Sequence, residues 1–350
     1  MQYIAFDSHK HYTLAVVESE DGKQSRTLKF AHAPGAVRHF LAGCEAASPV
    51  AVETIGNYYW IVDEIEAAGF KPRLVNARRA KAAMCQTNKT DKLDAQGMNR
   101  LQRTGTLPTV WIPPADVRDR RELPRTRMTF SRQRTALKNR IHADLDKYAL
   151  TIPGVSDIFG VEGRRLIRER IKLLPPHTAF AVEEMLKQLE AVEERLEAFE
   201  RRMKEAFAES RDLQLLRTQP GVGVILGTVI EAEVGAVDRF PSAGHLASYA
   251  GGAPRVFATG GKPRILGLRV DINHYLKWAF VEAANWICMT RAAYPERHVC
   301  RLYERIARRR GHQKAIGALV RHLAEATYWI LKKKEPYREP QNATASSTKG

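Results

Sequence analysis

Cysteine is scarce in this chain, acidic residues are outnumbered, and long apolar runs are missing. The four cysteines, Cys44, Cys85, Cys288 and Cys300, are scattered without a C-x-x-C pair. That spacing excludes a disulfide framework, makes a zinc site unexpected, and reads as reduced thiols in a cytoplasmic protein. No run of about 18 or more apolar residues occurs and no charged-then-apolar leader opens the sequence, so neither a membrane span nor secretion is expected. Against 56 Lys and Arg stand only 39 Asp and Glu, a formal net charge of +17. A surplus of that size calls for a polyanionic partner, nucleic acid first, because each neutralised phosphate releases condensed counterions.

What is present begins with four acids in the first hundred residues. Asp7 follows the apolar run Tyr3-Ile4-Ala5-Phe6, Glu53 follows Val50-Ala51-Val52, and Asp91 and Asp94 lie three residues apart, on one face if that segment is helical. The segments around them read as strands at 2–6, 12–18 and 25–30, a helix at 35–44, a strand at 49–53, a helix at 57–69 and a strand at 72–76. An antiparallel meander followed by alternating strand and helix is a mixed α/β sheet of the ribonuclease-H-like kind. If the first and fourth strands are neighbours, Asp7 and Glu53 meet at one sheet edge, where open α/β sheets hold ligands, and Asp91 with Asp94 closes the site. Convergent carboxylates suit hard divalent cations, and two Mg²⁺ ions about 3.5 to 4 Å apart can stabilise both the entering and the leaving oxygen of a phosphoryl transfer. Taken one at a time, the same residues are ordinary strand-ending and helix-capping acids; the combination is what points to metal.

Arginine is clustered. Arg118, Arg120, Arg121, Arg125, Arg127, Arg132, Arg134, Lys138 and Arg140 share one segment with only Asp119 and Glu122, and two further groups are Arg164, Arg165, Arg168, Arg170 and Arg305, Arg308, Arg309, Arg310. Guanidinium groups suit bidentate phosphate contacts, so these segments are expected to track a nucleic-acid backbone. In the middle of the chain, Val182, Met185, Leu189, Val192, Leu196, Phe199, Met203 and Ala206 alternate spacings of three and four, which predicts a coiled coil or helical hairpin beginning after Pro175-Pro176. Next comes Pro220-Gly221-Val222-Gly223 before the apolar run 224–230, a helix-hairpin-helix-like turn in which Gly221 and Gly223 would let backbone N–H groups approach a phosphate.

These elements together resemble a known family. Asp7, Glu53-Thr54-x-Gly56-x-Tyr58, Asn88-Lys89-Thr90-Asp91-x-x-Asp94-Ala95, Pro220-Gly221-Val222-Gly223, Asp238-Arg239-Phe240, Leu246-x-x-Tyr249-Ala250-Gly251 and Thr259-Gly260-Gly261-Lys262 stand in the order found in the DEDD transposases of insertion sequences, across nearly all of residues 1–335. That group includes site-specific invertases and members guided by a structured bridge RNA. The resemblance implies a RuvC-like amino-terminal domain binding Mg²⁺, two ions, through Asp7, Glu53, Asp91 and Asp94. It also implies a carboxyl-terminal domain whose serine attacks DNA, double-stranded DNA and a structured guide RNA as partners, and an assembled tetramer in which domains of different subunits build the site. The heptad helix is expected to join the chain into a homodimer or homotetramer, and no membrane association is expected. Where such proteins commonly read Ser-Gly, this chain has Ala258-Thr259-Gly260-Gly261, so the nucleophile's position falls on Thr259, with Ser242 and Ser248 as substitutes and Lys262 beside the phosphate.

The expected organisation is α/β plus all-α. Residues 1–150 would form the RuvC-like domain with a basic helical extension, 151–212 a linker and coiled-coil helix, 213–335 a mostly helical transposase domain, and 336–350 a disordered tail. Two alternatives remain at this level: a RuvC-like junction nuclease using metal-activated water, and a nucleic-acid-binding relative without chemistry.

Overall fold

A computed structural model describes residues 1–85, 90–259, 262–268 and 271–340, and for 255–259 and 262–268 the backbone alone. The chain forms two compact units, Met1–Ile112 and Pro113–Gly350. The expected tail at 341–350 lies outside the described residues.

In the first unit, β1 (Gln2–Ser8), β2 (Tyr12–Ser19), β3 (Ser25–Ala31), α1 (Ala36–Leu41), β4 (Pro49–Glu53), α2 (Tyr58–Ala67), β5 (Lys71–Val75), α3 (Ala77–Met84) and α4 (Asp91–Arg103) follow one another. The sheet order is β3-β2-β1-β4-β5, so β1 is central, antiparallel to β2 and parallel to β4. This mixed five-stranded sheet is compatible with a ribonuclease-H-like unit. Side chains alternate across a strand, and the consequence is explicit here. Ile4, Phe6, Ala15, Val17, Val50 and Val52 pack with Val37, Ile61 and Ile65 of the α1/α2 layer. Ala5, Val16 and Ala51 face the other way, against Ala80 and Met84 of α3 and Ala95, Met98 and Leu101 of α4. Polar ties fix α4 on the sheet: Asn99 Nδ2 donates to the Val16 carbonyl at 3.0 Å, Gln102 Nε2 to the Ile4 carbonyl at 2.8 Å, and Arg103 pairs with Glu18.

The second unit holds α5 (Ala115–Asp146), α6 (Val161–Ile171), α7 (Pro176–Ala206), α8 (Arg211–Leu216), α9 (Val224–Val234), α10 (Ala243–Tyr249), the hairpin β6 (Pro254–Thr259) and β7 (Lys262–Leu268), α11 (His274–Thr290), α12 (His298–Arg310) and α13 (His312–Lys333). Pro175 and Pro176 sit at the N-cap and first turn of α7, where a missing N–H costs nothing. The buried stripe of α7 is Val182, Leu186, Leu189, Val192, Leu196 and Met203; Leu186 joins the predicted positions, and Met185 packs partly buried against the same core. Helices α5 and α7 pack along each other, and this stripe is therefore covered within the chain. The basic helix α5 belongs to this unit, because Ile141 and Leu145 on its inner face join the core that includes α6 and α7. A second core gathers α9, α10, α11, α12 and α13 around Phe280, Ile230, Leu276, Leu319 and Leu323. No helix among the described residues is long and apolar enough to cross a membrane.

Candidate functional site

The register of β1 on β4 pairs Ile4 with Val50, Ala5 with Ala51 and Phe6 with Val52. One step further along both strands come Asp7 and Glu53. By the alternation of the pleat they share the face of Ala5 and Ala51, the face that α4 covers. Helix α4 begins there: the Thr90 side chain accepts from the Leu93 N–H at 3.2 Å as N-cap, which places Asp91 and Asp94 in the first turn. Both carboxylates are half-buried, and Asp7 is buried.

Electrostatics report the convergence. Burial pushes the Asp7 carboxyl up to about 6; His9 opposes the shift, and the charges of Glu53, Asp91 and Asp94 add to it. The Tyr12 phenol is likewise raised by burial and by Asp91.

A histidine completes the cluster. Donor atoms of Asp7, His9 and Asp91 all lie within 4.8 Å of one another. His9 Nε2 donates to Asp91 Oδ2 at 3.0 Å and lies 3.6 Å from Asp7 Oδ2, while the Tyr12 hydroxyl donates to the same Asp91 oxygen at 3.4 Å. The sequence signal for His9 is its place two residues past Asp7, on the side of the chain that turns back into β2. A lone histidine carries no spacing rule of its own, so pattern alone gives it no role beside the four acids.

In the second unit the arginine-rich helix divides. Arg118 and Arg121 are buried, and Arg121 donates to the carbonyls of Ala232 at 2.8 Å and Glu233 at 2.9 Å. Arg125 makes a two-pronged pair with the fully buried Glu233, at 2.6 and 2.9 Å, and Asn273 Nδ2 donates to Glu233 Oε2 at 2.8 Å. Arg239 donates to the carbonyls of Val234 at 2.9 Å and Glu233 at 3.2 Å, with its guanidinium over the Tyr249 and Phe240 rings. Cations therefore meet the last carbonyls of α9, where the helix dipole favours them. Arg127 is held by Glu200, and Lys138 lies 3.5 Å from Glu193. Arg120 and Arg132 remain exposed and Arg134 half-exposed. In the second cluster Arg164, Arg165 and Arg168 pair with glutamates of α6 and α7, whereas Arg305, Arg308, Arg309 and Arg310 of the third are exposed.

A groove of about 890 Å³ runs beside the exposed part of α5, lined by Arg132, Arg134, Gly221, Trp278 and Trp286 among others. The turn before α9 opens beside it. Gly221 adopts φ +77°, and a Cβ there would stand 2.5 Å from the Ala283 carbonyl, so this glycine is required for packing on α11. Gly223 is the N-cap of α9 with φ −86°, and a Cβ there meets nothing within 4 Å. Gly221→Ala should therefore lower the stability of the second unit by roughly 1–3 kcal/mol, while Gly223→Ala should cost under about 1 kcal/mol, as read by urea midpoints. Equal midpoints for the two variants would contradict this assignment.

Thr259 ends β6 and pairs with Lys262 at the start of β7. The intervening Gly-Gly is the composition of a two-residue hairpin, a feature that the expectation of a mostly helical domain does not include. The side chains of Thr259 and Lys262, and residues 260–261 and 86–89, lie outside what is described. Ser242 is the N-cap of α10, with its Oγ 2.8 Å from His245 Nδ1.

Residues 4–150 match a DEDD-type transposase family, and residues 213–299 match the transposase IS116/IS110/IS902 family. The chain is 24% identical over 255 residues to the transposase for insertion sequence element IS1328 of Yersinia enterocolitica, spanning 73% of this chain and 75% of that protein. It is 23% identical over 321 residues to the transposase for insertion sequence element IS1111A of Coxiella burnetii, spanning 90% and 84%.

Proposed function

This chain belongs to the IS116/IS110/IS902 family of insertion-sequence transposases, and from that membership we propose a metal-dependent DNA strand transfer in which a hydroxyl of the protein is the nucleophile. The single observation that supports the metal half is geometric: Asp7 and Glu53 stand one step past the paired Phe6 and Val52, on the sheet face that α4 covers, and Asp91 and Asp94 lie in the first turn of that helix. Burial is the main cause of the raised Asp7 carboxyl and the charges of Glu53, Asp91 and Asp94 add to it, so a divalent cation, which suits hard oxygen donors, would offset both. Asp7, Glu53, Asp91 and Asp94 would hold Mg²⁺, as two ions, and the metal would supply neutralisation of charge developing on a DNA phosphate.

The protein's part is attack and exchange. The Thr259 hydroxyl oxygen bonds to a backbone phosphorus, the bond from phosphorus to the departing sugar oxygen breaks, and the proton lost by the threonine is balanced by one gained by that departing oxygen. A phosphoester then joins the protein to one strand end. Support for Thr259 is its place at the end of β6, at the position where the family reads serine. The extra methyl restricts χ1, so Thr259→Ser should keep or raise the rate.

The DNA-facing surface in this reading consists of the exposed Arg120 and Arg132 and the half-exposed Arg134 with the groove and the α9 turn, and of the basic end of α12. The same basic content supports a structured RNA guide, and the chain acts as a homodimer or homotetramer. Because the stripe of α7 is already covered by α5, the subunits meet through other surfaces.

The test is adduct trapping. The full-length protein is incubated with Mg²⁺ and labelled DNA carrying the ends of its own insertion element, then denatured and resolved by size. A protein–DNA adduct is expected in the wild type and in Thr259→Ser and is absent in Thr259→Ala. Cleavage that survives Thr259→Ala without any adduct, yet disappears in Asp7→Ala, would replace this reading with hydrolysis by a junction nuclease.

A further inference from the structure

We propose that His9 is a nitrogen donor to the metal held by the acid cluster, and that it biases this site toward Mn²⁺ over Mg²⁺. The inference rests on the metal reading above and adds a fifth residue to it, one of different chemistry.

Geometry comes first. Neighbouring ligands of an octahedral ion at about 2.1 Å are separated by about 3 Å. His9 Nε2 stands 3.0 Å from Asp91 Oδ2 and 3.6 Å from Asp7 Oδ2, so the imidazole nitrogen already occupies a ligand-to-ligand spacing from two of the acids. In the cluster whose donor atoms all lie within 4.8 Å of one another, it stands with Asp7 and Asp91.

The second argument is that His9 is built into place. Its backbone N–H donates to the Tyr12 carbonyl at 2.8 Å across the turn joining β1 to β2, and Asn57 Nδ2 donates to the His9 carbonyl at 3.3 Å. The imidazole lies against the Tyr12 ring, centroids 4.6 Å apart and planes inclined by 35°. Tyr12 is held in turn by Lys29, whose ammonium sits 3.7 Å from the ring centroid. A ring fixed by turn, hydrogen bond and stacking keeps its nitrogen on the site at low entropic cost, the support that functional side chains need.

The third argument is ligand chemistry. Mg²⁺ prefers an all-oxygen shell and gains little from imidazole, whereas Mn²⁺ stands on the transition-metal series for which nitrogen donors add affinity. Asp7, Asp91 and one imidazole therefore make a mixed oxygen and nitrogen set. A neutral donor also adds a ligand without a fifth negative charge in a site already crowded with carboxylates.

The experiment uses the full chain, with Mn²⁺ alone as the probe and no DNA. Pulsed electron paramagnetic resonance at sub-stoichiometric Mn²⁺ should show the nitrogen modulation of a directly bound imidazole. That modulation should disappear in His9→Ala and in His9→Gln, and should shift in protein labelled with ¹⁵N-histidine. Mn²⁺ affinity, measured from the free-ion signal, should fall roughly tenfold or more in His9→Ala. Mg²⁺ affinity, read by competition, should change less than about threefold by the same reasoning on all-oxygen shells. Mn²⁺ bound to the wild type without nitrogen modulation overturns the proposal and leaves the acid-cluster reading intact, His9 being then only a hydrogen-bond partner of Asp91. Absence of Mn²⁺ binding in the wild type, with Asp7→Asn indistinguishable from it, overturns both. The wild-type spectrum decides the central point even if a His9 variant fails to fold.

Discussion

Asp7→Asn is expected to abolish strand cleavage while making the metal-free protein more stable above neutral pH. The two effects have one origin. Asp7 is buried among other acids, and its carboxyl is pushed up to about 6 from the ordinary carboxylate range, burial being the largest cause. A carboxyl whose folded-state pKa is raised binds its proton more tightly when folded, so ionising it works against the fold. The penalty is absent below about pH 4, grows between about pH 4 and 6, and is fully present above, the window set by the ordinary and raised values. Asparagine removes it. After allowance for water reaching the partly open site, the gain at pH 8 is on the order of 1 kcal/mol, a Tm increase of a few degrees, shrinking to nothing near pH 4. Wild-type protein should recover the same increment when millimolar Mg²⁺ is added at pH 8, and Asp7→Asn should not. Cleavage in the variant should fall by about 10³-fold or more, the scale on which one preorganised charge-stabilising group is felt. Calorimetry across pH with and without Mg²⁺ checks the first half and gel assays the second. A variant less stable than wild type at pH 8 would show that the acids are not crowded in solution.

The second large effect is expected at Glu233, far along the sequence from those acids. Its side chain is fully buried, receives both prongs of Arg125 and the amide of Asn273, and lies 3.7 Å from Arg121 Nε. Removing one partner of such a network strands the other charge in a low-dielectric interior, which costs about 3–5 kcal/mol. Glu233→Gln should therefore lower the stability of the second unit, read from its urea midpoint, by that much, and Glu233→Ala should leave little soluble protein. Arg125→Gln belongs with these, because it leaves the Glu233 carboxylate uncompensated. Arg132→Gln and Arg134→Gln should instead leave stability within about 0.5 kcal/mol of wild type. They should weaken DNA binding and make its salt dependence shallower, by about one unit of slope for each phosphate no longer neutralised. One helix thus carries two sorts of arginine that respond to different measurements. If Glu233→Gln unfolds at the wild-type midpoint, the network is not the tie that holds α5, α9 and α11 together.

The arginine helix also shows where residue-level reading stops. Composition identifies a cationic segment and gives every member the same role, since a guanidinium suits a phosphate and a buried carboxylate equally well. The distinction depends on Glu233, more than a hundred residues from Arg121 and Arg125, and on the bare carbonyls at the end of α9. No spacing within the helix encodes that. The stripe of α7 gives a gentler case. Its period was legible, but whether it faces another chain or its own neighbour depends on where α5 runs, and Leu186 is buried beside the expected Met185, which packs only partly buried.

The first unit was legible almost strand by strand. Short β-branched and apolar runs separated by turn residues specify strands through a period of two, and that period alone sets which side chains share a face. The placement of the four acids on elements was readable for the same reason: Asp7 and Glu53 lie at strand ends and Asp91 and Asp94 in the first turn of a helix, so their positions follow from local pattern. The sequence by itself determined that Asp7 and Glu53 lie at the carboxyl ends of the first and fourth strands, within a residue, that a capped helix starts at Asp91, and that the chain carries a large positive excess. Tertiary structure alone decided that β1 lies beside β4 with Asp7 and Glu53 in step, that His9 joins Asp7 and Asp91, and that Arg118 and Arg121 of the first arginine cluster are interior. Local pattern fixes backbone conformation and facing. The company a side chain keeps is set by chain crossings tens to hundreds of residues apart, through burial and charge that no short window of sequence contains.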